Sequence, residues 1–339
     1  MLLALSVLAS ACPTSLDPAF TRMIADSTLI VRGTVLSETN GPWDKGIKQH
    51  WSEVLVERTY KGDVPTQIRV GWKEYEMCPR AALAKDSYGL LFLRREASGF
   101  VFTDEVWGRV PVSRIQDDSH PADVSVALER DFKRAIQLDS GDQLIEDVNL
   151  LGDLGRPVAT TELHALLPTA DEALEATVHL ALLKLHDYSE LPAAGTLIET
   201  VPEVDMFYLP RDRVFAVRQR MAFEIEMITD HGQLPLLLRF TLSPNRWLRQ
   251  SAAYAVRQMH DPSGIPYLVR LLDDPSAETR IQAIRGIQEI VRPGIEAEGW
   301  VPGNREDGTR VTEQAVLARW RSWWQSEGKA KYGTMTFPQ

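Results

Sequence analysis

Val217-Arg-Gln-Arg-Met-Ala-Phe-Glu-Ile225, Leu248-Arg-Gln-Ser-Ala-Ala-Tyr-Ala-Val256 and Thr279-Arg-Ile-Gln-Ala-Ile-Arg-Gly-Ile287 lie over one another with a fixed step. Arg218, Arg249 and Arg280 fall 31 residues apart, as do Ile225, Val256 and Ile287. Pro235 and Pro266 keep that step, and so do Pro244 and Pro275. A period of this size carried by helical patterns marks a solenoid, a stack of units none of which hides its apolar face alone. Each unit reads as helix, short turn, helix. Pro192, Pro235 and Pro266 open the second helices, where the N–H that proline lacks would have no helical partner. Pro244 and Pro275 break the chain between units, and Ala252, Ala253 and Ala283 are small enough to let helices approach.

The array extends in both directions from residues 211–291. Toward the N-terminus, 144–167 reads as a degenerate first unit, with Leu151-Gly-Asp153 at its turn and Arg156-Pro157 opening the next helix. A helix over 173–185 follows, with Leu174, Val178, Ala181 and Leu185 on one face. The turn Leu185-His-Asp-Tyr-Ser-Glu-Leu-Pro192 parallels Met259-His-Asp-Pro-Ser-Gly-Ile-Pro266, 74 residues on. This pattern over 143–291 resembles HEAT repeats, especially the short alanine-rich bacterial kind also found in phycobilisome lyases. Past Val291, Arg292-Pro-Gly294 stops the helix and 299–310 is a polar loop. A helix then runs over 313–327 to Gly328. Its Trp320, Trp323 and Trp324 share a face by i, i+3, i+4 spacing, either capping the last unit or anchoring a partner or carbohydrate.

Residues 12–120 follow a different rhythm. Short β-branched bursts at 29–35, 51–57, 67–72, 89–93 and 100–102, with 110–112 closing the series, predict an antiparallel sheet. Turn signals separate them at Asn40-Gly41-Pro42, Lys61-Gly62-Asp63 and Ser98-Gly99. Gly33 interrupts the first strand, as expected where a strand bulges to close a small barrel. Residues 121–137 return to helical spacing and read as a helix leading away from the barrel or packing on its end. The fold class is therefore β plus α: a small OB-like barrel (12–120), a linker helix (121–142), a solenoid (143–293) and a loop with a Trp-rich capping helix (294–339).

The order Ala25-Asp26, then Leu29 to Val35, then Glu57-Arg-Thr-Tyr-Lys-Gly62, then Cys78, then Tyr88-Gly-Leu-Leu-Phe-Leu93 resembles the netrin-like OB domain shared with tissue inhibitors of metalloproteinases. The resemblance covers about 12–113. It implies a disulfide between Cys12 and Cys78. It also implies an inhibitory edge at Cys12, Pro13, Thr14 and Ser15, where a mature N-terminal cysteine would offer its amine and carbonyl to a protease zinc. Trp107 stands before Gly108 where members often carry a further cysteine, so the family's second bridge is missing.

Residues 1–11 carry no charged side chain and end in Ala9-Ser10-Ala11, a signal-peptidase pattern that would leave Cys12 first. The segment is short and lacks a basic start, so a first helix of a cytosolic domain is the other reading. A lipoprotein signal prefers leucine where Ala9 stands. Export to an extracytoplasmic compartment is the expectation, and it suits a chain whose two cysteines pair.

A chain of 339 residues with 44% hydrophobic and 25% charged residues has material for two domains. Its net charge of -10 and the lack of long Lys/Arg runs argue against a nucleic-acid partner. Nothing in it approaches the roughly 20 apolar residues of a membrane span. Nucleophile elbow, phosphate loop, HExxH and CxxC are all missing, and no cofactor is implied. His50, with Asp44 and Glu53 nearby, has no metal-site spacing, and Glu74 and Glu76 read as solvated. His186-Asp187 and His260-Asp261 read as turns between helices, in which the Asp carboxylate can cap the following turn. Arg218, Arg249 and Arg280 form either a partner-binding ladder or clasps to neighbouring acids and carbonyls. The expected function is a non-catalytic, exported protein-binding scaffold. A metalloprotease inhibitor acting through Cys12 is the first alternative, and a lyase-like activity on the helical half is the second.

Overall fold

A computed structural model of the protein describes residues 20–75, 82–105, 107–115, 123–200, 213–291 and 313–335. The chain falls into two compact units, Met1–Pro168 and Thr169–Gln339.

In the first unit a short helix α1 (Phe20–Asp26) leads into β1 (Leu29–Asp44), β2 (Ile47–Lys61), β3 (Gln67–Tyr75), β4 (Tyr88–Glu96), β5 (Gly99–Phe102) and β6 (Arg109–Val110). The strands run in the order β1-β2-β3-β5-β4-β6, and β1 also pairs with β4. That extra pairing closes a five-stranded barrel. β5 lies parallel to β3 and antiparallel to β4, the OB-like closure, and β6 adds to the far side of β4. Val31, Val35, Val54, Ile68, Val70, Leu91, Leu93 and Phe102 fill the interior at alternate positions. The first half of β1 and the middle of β4 are buried on both faces, which explains their unbroken runs Leu29-Ile-Val and Leu90-Leu-Phe-Leu93. Phe92 meets Phe20 of α1 edge to face at 5.3 Å.

Gly33 sits where β1 turns from one partner to the other, opposite Val56 of β2 and Gly89 of β4, with a register shift beside it. A side chain there would place its Cβ 2.5 Å from the Leu55 carbonyl oxygen, so only glycine allows the strand to bend this closely. The turn expected at Asn40-Gly41-Pro42 is not one. β1 continues through it, with an irregularity between Asn40 and Trp43. The chain reverses at Lys45-Gly46, whose φ angles of 49° and 77° belong to the two-residue hairpin turn that matches strand twist.

Among the described residues of this unit three more α-helices follow: α2 (Val124–Leu138), α3 (Gly141–Leu154) and α4 (Thr160–Leu166). Asp123 caps α2 by accepting from the Val126 N–H. α2 buries Leu128, Phe132 and Ile136, and it packs on β2 instead of leading away. α3 runs straight through Leu151-Gly-Asp153, expected to be a turn, and ends at Gly155 in the left-handed region.

The second unit contains α5 (Glu172–Lys184), α6 (Leu191–Glu199), α7 (Arg213–Glu226), α8 (Leu234–Phe240), α9 (Arg246–Met259), α10 (Ile265–Arg270), α11 (Ala277–Val291), α12 (Glu313–Trp323) and α13 (Lys329–Tyr332). The long helices α5, α7, α9 and α11 stack in sequence, and the short ones return beside them. Pro192, Pro235 and Pro266 each lie in the first turn of a short helix. Leu180, Ile225, Leu237, Leu248, Val256, Leu268, Ile284 and Ile287 form one continuous core, with Ala252, Ala253 and Ala283 at the close approaches. Val316, Leu317 and Trp320 of α12 join that core. The terminal helix passes Gly328 in a π turn and continues as α13, because the glycine lets the Trp323 ring lie against its backbone.

Candidate protein-binding surface

Each ladder arginine is engaged within the chain. Arg249 donates from Nη1 to the Ser243 and Pro244 carbonyls at 2.9 and 2.8 Å. Its Nε and Nη2 grip Asp274, from the next inter-repeat turn, at 2.6 and 3.3 Å. One period later Arg280 repeats the geometry. Its Nη1 meets the Asp274 and Pro275 carbonyls at 2.7 and 3.0 Å, and its Nε meets Glu313 at 2.7 Å. Arg218 pairs with Glu172 of the preceding long helix at 2.6 Å. A planar fork satisfies two carbonyls left by the proline break and one carboxylate together, which explains why the repeat keeps arginine and not lysine.

The His-Asp turns are equally structural. His186 and His260 have φ of 57° and 51°, the left-handed conformation that ends a helix. Asp187 and Asp261 then accept from the N–H of Ser189 and Ser263 at 3.1 and 2.9 Å. Asp230, one period before Asp261, does the same with Gly232. Burial opposes the Asp261 charge, but the Ser263 hydroxyl and N–H, with His231 beside them, hold its carboxyl below the usual range. Burial pushes the Glu226 carboxyl up, partly offset by a hydrogen bond from Ser251 on the next long helix.

Trp320 is buried in the core, while Trp323 packs partly against it and against Tyr332. Arg321 ties α12 to the Leu272 carbonyl and Asp273 at 3.1 and 2.5 Å. The tryptophan helix therefore covers the end of the array.

What the long helices leave outward is a ridge that the repeat comparison did not single out. Phe223, Tyr254 and Arg285 stand one 31-residue period apart on α7, α9 and α11. Phe223 is 46% exposed and Met227, in the turn just past the end of α7, is 67% exposed. Tyr254 and Arg285 are half-buried, and the Arg257 guanidinium lies 5.7 Å from the Tyr254 ring centre. Arg257 is held there by Glu289, at 3.0 and 2.9 Å from Nε, and by Gln282 at 3.1 Å. The signal was available in sequence: apolar Phe223 and Met227 fall on the helix face opposite Met221, Ala222 and Ile225.

The barrel brings together groups that spacing did not predict. His50 is buried and stacked on Trp72 at 3.9 Å. Its Nδ1 lies 2.5 Å from Asn40 Oδ1 and 3.1 Å from Glu38 Oε1, and its Nε2 lies 2.9 Å from Glu74 Oε2. Glu74, expected to be solvated, thus closes a three-strand clasp. Asp44 sits at the hairpin end of β1 and Glu53 faces Gln67, so neither joins it. A shallow groove of about 120 Å³ on the barrel, lined by Trp51, Gly71, Lys73, Arg94 and Glu105 among others, is bridged by the Lys73–Glu105 pair at 3.2 Å. Among the described residues no group of three His, Cys, Asp or Glu is arranged for a metal, and no helix is long and apolar enough to cross a membrane. Cys12, Pro13, Thr14, Ser15, Cys78 and Glu76 lie outside the described residues.

The Tyr60-Lys61-Gly62 turn has a defined geometry. Tyr60 donates to Asp131 of α2, and Lys61 Nζ caps α1 at the Ile24 and Ala25 carbonyls, 2.7 and 3.2 Å away.

A family model described as HEAT repeats matches residues 209–288, the span of α7 to α11. Among curated proteins none matches the chain. HEAT repeats are protein-interaction scaffolds and are typically non-catalytic.

Proposed function

We propose that this chain is an exported, non-catalytic scaffold whose partner protein docks on the Phe223–Tyr254–Arg285 ridge. The observation that carries this reading is the exposure of Phe223 on α7 and of Met227 just past its end, with a cation–aromatic pair at Tyr254, the equivalent position one repeat on. Aromatic and arginine side chains dominate the energetics of protein interfaces, and a helix face with this content is the usual anchor. The ladder arginines hold the ridge in shape from within. The test is capture from native extract with wild-type chain and with Phe223→Asp/Met227→Asp. A specific partner lost from the variant, with thermal unfolding unchanged, supports the reading; equal capture by both proteins refutes it.

The barrel is, on this proposal, a netrin-like module stapled by a Cys12–Cys78 disulfide formed after export. Its OB-like strand order and the Tyr60-Lys61-Gly62 contacts support that assignment. N-terminal sequencing of secreted protein with thiol labelling tests it. A mature start at Cys12 and no free thiol are expected, whereas retention in the cytosol with two reduced thiols overturns it.

A further inference from the structure

The helices α2 and α3 are fastened within the first unit in unlike ways. On α2, the buried Asp131 accepts from the Tyr60 hydroxyl, and its Oδ2 lies 3.4 Å from Arg58 Nε and 3.7 Å from Arg32 Nη1. Two cations facing one carboxylate keep this attachment wherever that carboxylate is ionised. On α3, Asp147 is fully buried, and among the described residues no Lys, Arg or His lies within ion-pair distance of it. Gln143 donates weakly to its Oδ1 at 3.4 Å. Its Oδ2, and Oδ2 of Asp139 at the C-terminal cap of α2, are buried without a donor. The two carboxyls are within hydrogen-bond reach of each other. Ionised carboxylates only accept, so a bond between two of them requires a proton on one.

We propose that Asp139 and Asp147 form a proton-operated latch, in which one shared proton holds α3 against α2 and its loss frees α3 while α2 stays attached through Asp131. Three groups act on Asp147: Asp139 from α2, Gln143 from its own helix and Arg32 from β1; α1, which also touches α3, adds none. Burial first, then the bond and charge of Asp139, push the Asp147 carboxyl up from 3.8 to about 8, with Gln143 and Arg32 pulling the other way. The sign follows. Below 3.8 the carboxyl is neutral whether α3 is docked or open, and the latch is intact. Between 3.8 and about 8 only the docked form holds the proton, so docking weakens with rising pH, and above about 8 the weakening levels off.

Hydrogen exchange of the full chain from pH 5 to 9.5, corrected for intrinsic rates, tests the latch. The opening of α3 should rise by roughly tenfold per pH unit and flatten above about 8, while α2 keeps its protection. In Asp147→Asn the α3 profile should be flat. Equal pH dependence in α2 and α3, or none in α3, overturns the proposal. Should the variant fail to fold, the carboxyl carbon of Asp147 in wild-type protein decides by NMR titration: a midpoint near 8 supports the latch, and one below about 5 removes it.

Discussion

Replacing Arg249 by methionine should unfasten two repeats. The side chain is 13% exposed and its partner Asp274 is 4% exposed, so removing the cation strands a nearly buried carboxylate. Breaking such a pair costs about 3–5 kcal/mol. Ser276 still donates to Asp274 Oδ1 at 2.8 Å, and the exposed Pro244 carbonyl can bond water in place of Arg249, so the low end, about 3 kcal/mol, applies. Adding Asp274→Asn removes the stranded charge and should restore about half of the loss, about 1.5 kcal/mol. Arg285→Met is the control. Among the described residues Arg285 has no ion pair, and its loss should cost less than about 0.5 kcal/mol. Because a repeat array need not unfold in one step, the assay is urea-dependent hydrogen exchange resolved over α9 and α11. If Arg249→Met is as mild as Arg285→Met, or if the double variant is no better than the single, the clasp is not what holds the repeats.

Two further substitutions test the turn and the barrel. His260→Gly should raise stability by about 0.5–1 kcal/mol in thermal unfolding, since an exposed non-glycine residue at φ 51° carries strain that glycine relieves. Gly33→Ala should cost at least about 2 kcal/mol and blunt the near-UV signal of buried Trp72, because its Cβ would meet the Leu55 oxygen at 2.5 Å.

The solenoid was legible because its chemistry repeats in register. An arginine that must reach two carbonyls and an acid, and a proline that must start a helix, recur at fixed steps. The barrel's strands were legible from their β-branched bursts, but not where β1 and β2 end. Asn40-Gly41-Pro42 has the composition of a turn yet lies in a strand irregularity, while Lys45-Gly46 carries a weaker signal and makes the reversal. The role of residues 124–138 hid for another reason. Asp131 looks like a solvated helix residue until Arg32, Arg58 and Tyr60 arrive from two strands. The His50 clasp likewise draws on β1, β2 and β3, and no local spacing encodes a meeting of three strands.

Site-specific photo-crosslinking in cells tests the central claim most directly. A photoreactive phenylalanine analogue is placed at Phe223, at Tyr254 and, as a control, at Asp63 in the turn after β2. The docking ridge predicts one discrete protein adduct shared by positions 223 and 254 and missing from position 63. No adduct from either ridge position, or the same adducts from all three, would contradict it.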